Sequence, residues 1–374
     1  MRDVTAQPFV PPPYPYDRLT HLHAAALEAH GEVIDLSIGT PCDAPPAAVL
    51  AALAGSGTER GYPTSLGSPA LREAVASWMD RRLGCHVDPA TEIASCVGTK
   101  EFVAGLPHLL RLRRPDLDTV LYPAISYPSY EMGAILAGCR AVPVPCDAQW
   151  RLDLDAIDPG DIARALCLWS NTPGNPAGGL DDLVAIAAWG RRHDVPVFSD
   201  ECYVEFTWDG PPRTILETGT DGVIAVHSLS KRSNLAGVRV GCYAGDAELV
   251  RYLSEVRKHL GLIVAGPAQA AAVVAFGDDE HVDAQRQRYH DRLVRLAGAL
   301  DANDIPVTMP GGAFYLWVEA PDGDAWALAE RLAVRTAAVV SPGEFYGAAG
   351  ADHIRIAAVQ PDDRIDRFVD RLGG

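Results

Sequence analysis

From about Asp118 onward short β-branched runs alternate with amphipathic stretches, and this alternation narrows the possible folds more than any other feature of the chain. DTVLYPA reads as a strand, YEMGAILAG as a helix and AVPVPC as a strand. ALCLWSN follows as a strand, then LDDLVAIAAWGRRHD as a helix with Leu183, Ile186, Ala187 and Gly190 along one face. VPVFSDE and GVIAVHSLS are apolar runs that end abruptly in polar residues. The rhythm predicts an α/β fold with a mostly parallel sheet covered by helices. After about Ala275 it gives way to a long charged helix, DDEHVDAQRQRYHDRLVRLAGAL, and to short strands in AFYLWVEA and HIRIAAV around a helix. With 374 residues the chain exceeds one compact core. The expected organisation is a large domain over 41–275 and a smaller α+β domain over 276–374, joined by the N-terminal segment 1–40.

The formal net charge of −17 excludes a phosphate-tracking surface for nucleic acid and disfavours an anionic membrane surface. An anionic ligand must therefore be met by local cations. The eight cysteines form no CxxC pair or metal-spaced cluster, which predicts no metal site and fits a reducing cytoplasm. The start, MRDVTAQPFVPPPYPYD, lacks the apolar core of a signal peptide, and GLIVAGPAQAAAVVAFG is interrupted by Pro267 and Gln269. A soluble cytoplasmic protein without membrane segments is expected.

In parallel sheets ligands sit at the carboxyl ends of the strands. SNTPGNPAGG, SDECY and HSLSKRSN each follow an apolar strand, so their side chains should converge on one crevice. Lysine is nearly absent: only Lys100, Lys231 and Lys258 occur. A solvated surface cation could be arginine, but a guanidinium cannot lose its proton, whereas an amine can lose it and attack a carbonyl. Lys231 is thus a candidate nucleophile. Asp200 ends an apolar run and needs a partner; it is either a cap or ion pair, or the counter-ion of a protonated heterocyclic nitrogen. Tyr203 either packs or bonds a phenolic oxygen on the same ring. Asn175 lies in a Pro/Gly turn where Asn is common for backbone reasons. Gly98, Thr99 and Lys100 open a helix, an ordinary start or a phosphate cradle. Arg239, in GVRVG, begins another apolar strand and Arg355 is held inside an apolar run; each either makes an internal salt bridge or grips an anionic ligand.

SLSK followed by VRVG, with SDECY and NTPGNPAGG upstream, resembles the class I and II aminotransferases of the pyridoxal-phosphate fold type I superfamily. The resemblance implies that Lys231 forms the covalent link to pyridoxal 5'-phosphate and moves the proton at the substrate α-carbon, its charge lowered by Arg239 and the protonated ring. It implies that Asp200 pairs with the ring nitrogen and that Tyr203 and Asn175 hold the ring hydroxyl. Ser228, Ser230 and Arg239 would take the phosphate, with Gly98, Thr99 and Lys100 completing its cup. Tyr127 matches the aromatic that stacks on the ring, Gly39 the mobile loop over the substrate, and Arg355 the arginine for the α-carboxylate. Tyr62 in RGYPTSLGSPALREAV matches the tyrosine lent to the neighbouring subunit, which implies a homodimer with shared sites. SLSKRSNLAG, EVRKHLG and DDEHV are most similar to the actinobacterial N-succinyl-LL-diaminopimelate aminotransferases. That implies small amino and keto acids as partners. Val238 stands where that family has an aromatic. Ser228 and Lys231 also satisfy SxxK, but no lysine precedes Thr-Gly, as a serine acyltransferase requires. A C–S lyase of the same fold, or an aminotransferase for another amino acid, is the alternative.

Overall fold

The computed structural model describes residues 9–374; the first eight residues of the proline-rich start lie outside it. Its strands are β1 Ile34–Asp35, β2 Ile93–Cys96, β3 Thr119–Pro123, β4 Arg140–Val144, β5 Ala165–Asn171 and β6 Val197–Asp200, then β7 Val223–Ser228, β8 Gly241–Gly245, β9 Tyr315–Glu319, β10 Ala338–Val339, β11 Ser341–Pro342 and β12 His353–Ala357. Seven of them form one sheet in the order β2-β8-β7-β6-β5-β3-β4. All run parallel except β8, which is antiparallel to both neighbours.

Period-two side-chain alternation builds two cores from this sheet. Leu168, Val197, Val223 and Ala225 face one side, against the helices Pro69–Leu83, Leu183–His193 and Gly266–Gly277. Cys167, Trp169, Phe198, Ile224 and Val226 face the other, against Thr99–Arg113, Ser129–Leu136 and Ala247–His259. Both faces are buried, which is why the runs read as almost unbroken apolar sequence. Each large apolar side chain so buried contributes about 1.5–3 kcal/mol. A charge at Ile224, at 0% exposure, would break this layer.

A third core lies under the antiparallel sheet β11-β12-β9. Leu328 and Leu332 of the helix Ala325–Thr336 and Phe368 of the helix Asp362–Gly373 bury there with Ile354. So do Leu22 and Ala26 of the helix Thr20–His30, and β1 pairs in parallel with β10. The N-terminal segment thereby shares a core with the C-terminal hundred residues.

Register sets the site. Asn171 lies opposite Asp200, Asp200 opposite Val226, and Gly241 opposite both Ser228 and Cys96. The polar endings of β5, β6 and β7 therefore reach one edge together with the start of the helix Thr99–Arg113. Arg239 does not begin a strand as the sequence suggests: it sits at φ 58°, closing a short turn before β8. Among the described residues no helix is long and apolar enough to cross a membrane, and no cluster of His, Cys, Asp or Glu could hold a metal ion.

Candidate active site

At that edge lies a cavity of about 300 Å³. Twelve of the fourteen sequence-predicted residues line it: Gly39, Thr99, Lys100, Tyr127, Asn175, Asp200, Tyr203, Ser228, Ser230, Lys231, Arg239 and Arg355. Gly98 stands just behind, at φ 75° before the helix Thr99–Arg113, and a Cβ there would run into the guanidinium of Arg239. Tyr62 is fully exposed and lines no part of this chain's cavity.

Asp200 is carried to the edge by β6 and is 8% exposed. Tyr130 Oη donates to its Oδ2 at 2.8 Å and the Cys202 N–H to its Oδ1 at 3.2 Å. Both donors are neutral, and burial pushes the carboxyl's pKa up against their effect. Such a group gains from a cationic hydrogen-bond donor brought by a ligand. Asn171, at the end of β5, donates to the Asp200 carbonyl at 2.9 Å and accepts from the Asn175 N–H at 2.8 Å. The turn holding Asn175 is thereby fixed beside β6, and both its Xaa-Pro bonds, Thr172-Pro173 and Asn175-Pro176, are cis.

Lys231 sits in the four-residue helix Leu229–Arg232 directly after β7, capped by Ser228, whose Oγ accepts from the Ser230 N–H at 3.1 Å. Its Nζ donates to the Gly39 carbonyl. Its pKa is lowered to about 8, chiefly by burial; Arg355 and Arg239 add to this, while Cys202 and Asp200 oppose it. Burial is thus the leading cause, ahead of the Arg239 charge named from the sequence. Behind it, Arg232 is held by Glu205 at 3.0 Å and Asp279 at 2.9 Å.

Two arginines at the cavity have no carboxylate partner among the described residues. Arg239 donates to the Ala236 carbonyl at 2.8 Å and is exposed. Arg355, in β12, is 1% exposed, donates to Asn175 Oδ1 at 2.7 Å and to the Ser37 carbonyl, and lies 4.2 Å and 4.6 Å from the ring centres of Tyr315 and Tyr346. Its buried Nε has no hydrogen-bond partner. Lys100 donates to Tyr127 Oη at 3.2 Å and Tyr14 Oη at 3.3 Å. Tyr203 Oη meets Tyr315 Oη at 2.9 Å, and a Cβ on Gly39 would strike that same Tyr315 hydroxyl.

The residues missed from sequence are Tyr14, Tyr16, Tyr130, Asn171, Cys202 and Tyr315, all lining the cavity. Asn171 and Cys202 stand inside the quoted strand endings and could have been included. The tyrosines carried no local signal.

The donor set fits pyridoxal phosphate. A carboxylate with only neutral donors suits a protonated ring nitrogen. An unpaired arginine beside a helix start whose glycine cap offers no side chain suits a phosphate. An amine with a lowered pKa suits an aldehyde.

The aminotransferase class I and II family model matches residues 31–372. The chain is 39% identical over 369 residues to 4-dedimethylamino-4-oxo-anhydrotetracycline transaminase OxyQ of Streptomyces rimosus, covering 96% of this chain and 99% of that protein. It is 31% identical over 376 residues to an LL-diaminopimelate aminotransferase of Dehalococcoides mccartyi, with 97% and 96% coverage. Among solved structures, a probable N-succinyldiaminopimelate aminotransferase from Thermus thermophilus matches with TM-score 0.84 at 30% identity, covering 94% of this chain and 98% of that one. The chain therefore belongs to the class I and II aminotransferases, and is a pyridoxal-phosphate-dependent aminotransferase of fold type I.

Proposed function

We propose that this enzyme moves an amino group between glutamate or 2-oxoglutarate and an α-amino or α-keto acid that bears a second acidic group, N-succinyl-LL-2,6-diaminopimelate. One observation carries the reading: Arg355 and Lys100 both face the cavity as cations without a carboxylate partner among the described residues. Arg355 takes the α-carboxylate through two parallel bonds, and Lys100, with the hydroxyls of Tyr14 and Tyr127, takes the distal one.

Arg239, Ser228, Ser230 and the first-turn amides after Gly98 would hold the cofactor's phosphate. Asp200 would hold its ring nitrogen, Tyr203 and Asn175 its ring oxygen, and Tyr127 would lie on its face. Bound there, pyridoxal phosphate supplies the electron sink for amino transfer. Lys231 Nζ takes the proton from the substrate α-carbon and returns it; a pKa near 8 leaves part of the amine neutral at ordinary pH. Arg355 fixes which bond at that carbon faces the ring. Tyr62, exposed on its own chain, completes the site of a second copy in a homodimer. We read 41–275 as one domain and 276–374 with 1–40 as the other; in support, Arg355 of β12 and Gly39 line the cavity together with residues of the sheet edge.

A second reading follows from the Streptomyces relative: the acceptor is a ketone on a larger ring system, as that protein's name describes. Half-reactions separate these. Glutamate should convert the bound cofactor to its aminated form once and stop until a keto acid is added. Among donors, N-succinyl-diaminopimelate should react faster than aromatic, branched or acetylated amino acids. Continuous release of ammonia or sulfide without a keto acid would show a lyase instead.

A further inference from the structure

Tyr130 has no part in the assignments above, yet it makes the shortest contact to the catalytic carboxylate. It lies in the helix Ser129–Leu136, is 2% exposed, and packs its ring 5.3 Å from that of Trp169. Apolar side chains surround the ring, and the hydroxyl's hydrogen bond goes to Asp200 Oδ2 at 2.8 Å. The other oxygen, Oδ1, is held by the Cys202 N–H. One donor thus fixes each oxygen.

We propose that Tyr130 is a positioning residue that keeps Asp200 ionised and aimed into the cavity, so that Asp200 can accept a hydrogen bond from a protonated ring nitrogen. The proposal rests on the pyridoxal-phosphate reading of the site. The titratable groups that touch Asp200 or interact with its charge are Tyr130 from its helix, Lys231 from the helix after β7, Cys96 from β2, and Glu201 and Cys202 from its own segment. Of these, Lys231 is the cation and its amine bonds to the Gly39 carbonyl, whereas Tyr130 touches the carboxylate directly. A donor hydrogen bond favours the charged carboxylate, and burial opposes it. Tyr130 stays protonated, because burial first and the neighbouring Asp200 charge second push its own pKa well up.

The sign follows directly. Removing the donor raises the pH at which Asp200 takes up a proton, and a protonated Asp200 cannot hold a cationic ring. The test is the pH dependence of pyridoxal 5'-phosphate affinity for the full chain, measured by fluorescence quenching for wild type, Tyr130→Phe and Tyr130→His, with melting temperatures recorded alongside. A hydrogen bond to a charged group predicts that the acid limb of Tyr130→Phe moves up by about one to two pH units. Tyr130→His, which restores a donor, should return the limb toward wild type. A uniform loss of affinity or a lower melting temperature with an unmoved limb would overturn the proposal and leave Tyr130 as packing. If Tyr130→Phe does not fold, a Tyr130→His limb as far displaced as one to two units would overturn it as well. Failure of the wild-type chain to bind pyridoxal phosphate at any pH would instead refute the reading beneath it.

Discussion

Arg292 and Arg355 are each 1% exposed, but the chain treats them differently. Arg292, in the helix Glu280–Asp301, meets Asp43 at 2.7 Å and Asp362 at 3.0 Å. Arg355, in β12, meets an amide oxygen, a backbone carbonyl and two aromatic rings. The same contrast recurs between neighbours in sequence: Arg232 is held by Glu205 and Asp279, while Lys231 bonds a backbone carbonyl. Taking a charge out of water is costly unless it is paired. At Arg292 and Arg232 the chain supplies the counter-charge itself. At the cavity Arg355 and Lys231 have no carboxylate partner among the described residues, the pattern in which a buried charge marks a candidate functional site.

Three substitutions probe this contrast. Arg355→Met should raise KM for amino-acid donors by about 10²–10³-fold, the loss expected when a desolvated charge pair with a ligand is removed. The cofactor-free protein should melt no lower than wild type, since only neutral groups lose a partner. Steady-state kinetics and calorimetry read both. Arg292→Met should do the reverse: about 3 kcal/mol of stability lost in denaturant unfolding, because Asp43 keeps its charge with only the neutral Gln285 amide as a donor, and KM little changed. Lys100→Met is the smallest effect, since this ammonium is exposed. KM for dicarboxylic donors should rise about five- to tenfold, less in high salt, with monocarboxylic donors unaffected. Equal effects on both donor classes would remove Lys100 from distal recognition.

Much of the molecule was legible because the sheet is buried on both faces, so that β5, β6 and β7 read as apolar runs and their polar endings stood out. Scarcity made Lys231 visible. The pairing of β1 with β10 was not legible, since two-residue strands carry no period. Tyr130 was not either: in YEMGAILAG it reads as one more core residue, and its partner lies seventy positions later. Tyr14, Tyr16 and Tyr315 act through hydroxyls placed by tertiary packing, which no local spacing encodes. Arg239 misled as a strand residue because its left-handed backbone leaves no pattern in an apolar run. Tyr62, quoted in RGYPTSLGSPALREAV, is exposed and contributes nothing to its own chain's cavity.

Since the chain has only Lys100, Lys231 and Lys258, the lysine that bonds the cofactor can be identified without ambiguity. Borohydride reduction of the protein loaded with pyridoxal 5'-phosphate, followed by peptide mass mapping, should place the added mass on the peptide carrying Lys231 alone. Label on Lys100 or Lys258, or none on any of the three, would contradict the assignment of that amine to the reacting centre.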